Sequence, residues 1–135
     1  MNYYELAEEE IAASQTLFNA GQYRHAVYHS RIAIELLLKT KLVQLDPTSA
    51  LLEGHDIINI FKAVHEKYES SRDLLSIVRF CRKYFNESRY PTSGNAGYTK
   101  EFAEKFAQHV EDTKFYIDTE CAATMESLRD KFKGI

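Results

Sequence analysis

Four cations gather in one short stretch of the chain: Arg72, Arg79, Arg82 and Lys83. Read as a helix running to about Phe85, this stretch puts Leu74, Ile77, Val78, Cys81, Tyr84 and Phe85 on an apolar side. Arg72, Arg79 and Lys83 then lie opposite, with Arg82 on the flank. A face of one sign suits phosphate oxygens. Just beyond it Arg89-Tyr90-Pro91 pairs an anion-binding guanidinium with a ring that could stack on a base. Upstream, Gly54-His55-Asp56 reads as a turn and a helix start, and its imidazole is a second candidate for ligand contact. The net charge of −3 argues against capture of nucleic acid by the whole surface, so any such binding must be local.

Several chemistries are excluded. The chain has no Gly-rich phosphate loop, no H-E-x-x-H, no G-x-S-x-G and no carboxylate pairs at two-metal spacing, so neither a metal nor a cofactor is expected. Cys81 and Cys121 fall inside predicted helices without metal-pair spacing and read as buried or half-buried thiols. The acidic start MNYYELAEEE lacks the order of a secretory signal, and lysines interrupt LLLKTKL before it reaches membrane-span length. The expectation is a cytoplasmic protein with no membrane contact.

The elements that must position these residues are helices. A chain of 135 residues with 44% hydrophobic and 27% charged residues, 2 Pro and 5 Gly has the size of a single domain, 1–135, and few helix breakers. Asn2 caps a first helix that stops at Gly21. A second runs from there to Leu45 with Ala26, Val27, Ser30, Ala33, Ile34, Leu37 and Leu38 buried. That stripe leaves Arg24, His25, Arg31, Glu35, Lys39 and Lys41 mainly on the flanks and the water side, with Glu35 and Lys39 as a surface pair worth about 0.3 to 0.5 kcal/mol. The link at Gly21 is short, which makes the first two helices an antiparallel hairpin. Thr48 to Glu53 reads as a turn or loop, and His55 or Asp56 caps a third helix on Ile57, Ile60, Phe61, Val64 and Tyr68. The fourth starts after Ser70 and Ser71 with Asp73 in its first turn. Asn86 to Tyr98 reads as a loop, and Thr99 caps a long last helix reaching toward Lys133. The fold class is therefore all-α: an up-and-down bundle of four to five antiparallel helices with a long C-terminal helix.

Taken in order, G-Q-Y-R-H-A-V-Y-H-S-R-I-A-I-E-L-L-L-K in the first hairpin, G-H-D-I at Gly54 to Ile57, the basic fourth helix and R-Y-P at Arg89 to Pro91 resemble the HEPN family, over roughly Leu6 to Thr124. The resemblance implies a homodimeric bundle, in prokaryotes often encoded beside a minimal nucleotidyltransferase as a toxin–antitoxin or nucleotide-binding pair. It also implies, in many members, metal-independent RNA cleavage by an R-x4-6-H motif, with His moving a proton and Arg steadying charge on phosphorus. Arg24 and His29 fit that spacing as candidate catalytic residues, although early in the second helix. At the late position typical of the ribonucleases stands Arg89, with no His before His109. This departure favours a nucleotide- or RNA-phosphate-binding member, using His55, Arg72, Arg79, Arg82, Lys83, Arg89 and Tyr90, over a ribonuclease toxin or a purely protein-binding module.

Overall fold

The computed structural model describes residues 2–84 and 98–121. Among them stand five α-helices and no strand: α1 (Tyr3–Asn19), α2 (Tyr23–Leu45), α3 (Ile57–His65), α4 (Leu74–Lys83) and α5 (Lys100–Phe115). A 3-10 turn at Ala50–Glu53 precedes α3, and α5 runs on into a π-helical turn at Tyr116–Glu120. The structure is thus an all-α bundle.

Local chemistry accounts for the ends of the helices. The Asn2 carboxamide oxygen accepts from the Glu5 amide at 2.8 Å, and Thr99 Oγ1 accepts from the Phe102 amide at 3.1 Å, each satisfying an orphan donor of the first turn. Asp56 and Asp73 cap α3 and α4 in the same way. Gly21 ends α1 at φ 76°, where its amide bonds to the Phe18 carbonyl and the next amide, of Gln22, reaches back to Leu17. This paired closure needs a left-handed residue, which glycine supplies without a Cβ penalty. The chain reverses there, and α2 returns antiparallel along α1.

Around α2 the other elements assemble, α1, α5 and α3 packing on it from different sides. Ala33, Ile34, Leu37 and Leu38 are fully buried against Ile60, Val64, Val78, Phe106 and Tyr116. Enclosure on several sides overturns one expectation. Arg31, Glu35 and Lys39 are not on the water side but buried, at 5%, 4% and 5% exposure. A single-stripe reading fails for a helix that neighbours cover nearly all round. The surface pair Glu35–Lys39 is therefore a buried one.

Helix α4 differs in a smaller way. Asp73 is its cap rather than part of its first turn, so the helix begins at Leu74 and leaves Arg72 outside it. Tyr84 closes its C-terminal end. Both cysteines are buried free thiols. No helix among the described residues is long and apolar enough to cross a membrane. The expected reach of the last helix toward Lys133 falls on residues outside those described.

Candidate functional site

Glu35 is the centre of a buried ionic network. Its Oε2 lies 3.2 Å from Lys39 Nζ and 2.9 Å from His55 Nδ1, while Oε1 faces Arg31 at 3.9 Å. Lys39 Nζ also donates to the Gly54 carbonyl at 2.8 Å. Two stretches that carry the family resemblance, the E-L-L-L-K of the second helix and the G-H-D-I before the third, thus meet as one structure. His55 stays largely exposed on top of the buried acid, at 61%. Arg31 lies near enough to α4 for its charge to act on the Cys81 thiol, although burial dominates there and pushes that thiol up to about 12. The network accordingly joins the residues just before α3 to the middle of α2.

Arg24 and His29 belong elsewhere. His29 Nδ1 lies 2.5 Å from Glu10 Oε2 across the α1–α2 hairpin, and its ring meets the Tyr28 ring edge-on at 5.2 Å. The Arg24 guanidinium lies 3.5 Å from His25 Nε2. Five residues at roughly 100° each turn Arg24 and His29 about 140° apart around the helix axis, so they do not share a face.

The basic face divides as well. Arg72 turns toward α5, where its Nε is 3.3 Å from Asp112 Oδ1 and its guanidinium lies 3.9 Å from the centre of the Phe115 ring. Arg79, Arg82 and Lys83 remain exposed on α4 and form no salt bridge among the described residues. On the helical wheel Arg79 and Lys83 both lie on the side of Ser76 away from Phe80, at about 60° and 20° from it, and Arg82 falls about 60° beyond Arg79. Arg89 and Tyr90 lie outside the described residues.

Beside Ser76 and Phe80 opens a cleft of about 360 Å³ between α4 and α5, lined also by Arg72, Asp73, Ile77, Lys105, His109 and Asp112. Phe80 stands in a cluster of rings with Tyr84, Phe102, Phe106 and His109. Lys105 Nζ sits 4.9 Å over the Phe80 ring. Burial, with the neighbouring Lys105 charge, holds His109 below the usual histidine range despite Asp112. Its Nδ1 is buried with no hydrogen-bond partner among the described residues. A larger groove of about 840 Å³ lies between α1, the end of α2 and the π turn. Its ionic groups already have partners, Asp118 in Tyr4 and Lys114, and Lys41 in Gln44.

The structure therefore separates the sequence candidates into the α1–α2 pair, His55 on its buried acid, and the α4 cations. Sequence reasoning missed the burial of Arg31, Glu35 and Lys39 and the pairing of Glu35 with His55, and Lys105 and His109 as the far wall of the α4–α5 cleft. The available signal for the latter was their spacing with Phe102 and Phe106 on one helix. No group of His, Cys, Asp and Glu among the described residues could hold a metal ion.

Compared with known proteins, the chain matches the model of a family described as the HEPN domain over residues 2–113. It is similar to the crystal structure of TT1696 from Thermus thermophilus, with a TM-score of 0.74 and 22% identity over 87% of this chain and 94% of that one. A search of the curated proteins returns no match.

Proposed function

Since this chain belongs to the HEPN domain family, we propose that it binds the phosphates of a nucleotide or of RNA along the outer rim of α4. In this reading it acts as a cytoplasmic homodimer, paired with a minimal nucleotidyltransferase in a toxin–antitoxin or defence system. The observation that carries it is a cluster of like charge. Arg79, Arg82 and Lys83 stand together, exposed on one short helix and without a salt bridge among the described residues, Asp73 being an acid on which the Arg79 charge acts. Cations held at the water's edge by a buried apolar face are free to exchange counterions for phosphate. Lys105 adds a fourth from across the cleft, and His55, Arg89 and Tyr90 complete the proposed set.

The test is titration of a labelled short RNA and of nucleoside phosphates into wild type and the Arg79→Glu/Lys83→Glu double variant. A loss of at least tenfold in affinity, with an unchanged melting temperature, is the expected result. Equal binding by the two proteins overturns the reading.

One observation supports the rival ribonuclease reading: Glu10 fixes one nitrogen of His29, leaving Nε2 to exchange protons. The angular separation of Arg24 and His29 then requires the arginine of a second copy. Growth arrest by wild type that His29→Ala relieves would favour this reading over simple binding.

A further inference from the structure

The groove of about 840 Å³ between α1, the end of α2 and the π turn holds no residue of α4, and its walls are of another kind. Tyr3 and Leu6 of α1, Val43 of α2 and Ile117 of the π turn give it an apolar lining. Leu6 and Val43 are half-buried, and Leu45, four residues on from Lys41 and on the same side of α2, is left exposed. Most polar groups of the groove are spent within the chain. Asn2 caps α1, the Thr40 hydroxyl donates to the Leu36 carbonyl at 2.9 Å, and Asp118 is held by the Tyr4 hydroxyl and by Lys114. Lys41 differs. Its Nζ donates to the Gln44 carboxamide oxygen at 3.1 Å, a neutral partner, and it forms no salt bridge among the described residues. Burial pushes the Cys121 thiol up to about 11 against the pull of the Lys41 charge, so at neutral pH that thiol carries no charge to balance the lysine.

We propose that this groove holds a free anionic amphiphile of the medium-chain carboxylate class, its acyl chain along Leu6, Val43 and Ile117 and its head group on Lys41. Charge complementarity chooses the head. A carboxylate meets the one ionic group of the groove that has no opposite charge among the described residues, whereas an ammonium head is repelled there. The apolar walls choose the tail, since each methylene moved from water onto them adds to the affinity. Size argues against a protein as the occupant. Ten residues line the groove, where a stable protein interface takes about 20 to 30 a side. The volume lies within the range of small-molecule sites, about 300 to 1,000 Å³. The site draws on none of the α4 cations, so it neither needs the phosphate-binding reading nor lends it support.

The experiment titrates hexanoate, octanoate and decanoate into the full chain, with decyltrimethylammonium as the cationic control, all below their micelle concentrations, and follows the backbone amide signals by NMR. Decanoate should move the signals of Leu6, Val43 and Ile117 saturably and bind at least tenfold more tightly than hexanoate. It should also bind several-fold more tightly than the ammonium amphiphile of the same chain length. Lys41→Gln should abolish that head-group preference and Lys41→Arg should keep it, a contrast that a lysine with a structural role alone would not give. If Lys41→Gln does not fold, the wild-type comparison of decanoate with decyltrimethylammonium decides the matter. Equal binding of the two heads, no dependence on chain length, or shifts spread over the whole chain instead of gathered at the groove would overturn the proposal. So would the absence of any saturable shift at millimolar concentration.

Discussion

Glu35 has three neighbours competing for two oxygens, and removing it leaves Arg31 and Lys39 charged inside the bundle. Breaking a buried ion pair from one side costs about 3 to 5 kcal/mol, since the remaining charge is left unpaired in a poor solvent. Glu35→Ala should thus lower the unfolding free energy by that order in urea titrations. His55→Ala, which removes an exposed partner, should cost less than about 1 kcal/mol. Equal losses would mean that the carboxylate is not the centre of the network. His109 gives a pH signature. Its folded pKa lies below the unfolded value, so the unfolded chain takes up the proton first as pH falls. Stability from this group is complete above about 6.5 and declines as pH drops from there through the folded value. Urea titrations between about pH 7 and 5 should show a shallower decline for His109→Gln than for wild type.

At the level of helices, capping was legible in the sequence and burial was only partly so. Asn2, Gly21 and Thr99 act where their chemistry says they should, because a cap depends on residues within one turn. Gly21→Ala should destabilise by about 1 to 2 kcal/mol, measured by thermal or urea unfolding, because a Cβ strains the left-handed backbone. No atom stands within 4 Å of where that Cβ would go, so a larger loss would point to something other than backbone strain. The polar flanks of α2 were misread because enclosure by three other elements is a tertiary fact without local trace. His55 and Glu35 lie twenty residues apart in sequence, and nothing in either stretch names the other. The two-residue difference in where α4 begins leaves Arg72 outside the helix, where it pairs with Asp112.

For the molecule as a whole, a net charge of −3 coexists with a cationic rim on one helix. Binding there should be strongly salt-dependent. If the rim neutralises about three phosphates of a single strand, the slope of log affinity against log salt should be near −2, at about −0.7 for each phosphate. Fluorescence anisotropy at several salt concentrations measures it, and a slope near zero would remove Arg79, Lys83 and Lys105 from the interface. The all-α architecture was readable from periodicity and the scarcity of breakers. The site was less so, because Lys105 and His109 meet Phe80 only once α5 folds back along α4.

The π turn at the end of α5 gives this helix a change of phase. The five-residue spacing brings Cys121 beneath Tyr116, whose hydroxyl donates to the Tyr68 carbonyl and also reaches the thiol, and it frees Glu120 to accept from the Ser71 amide. At the ordinary helical pitch the residue stacked beneath Tyr116 would instead be Glu120. The widened turn is in effect a single-residue insertion that keeps an acid out of the core. Excising Thr119 would restore the regular pitch with Cys121 still beneath Tyr116, leaving the tyrosine its bond to Tyr68 while taking the carboxylate away from Ser71.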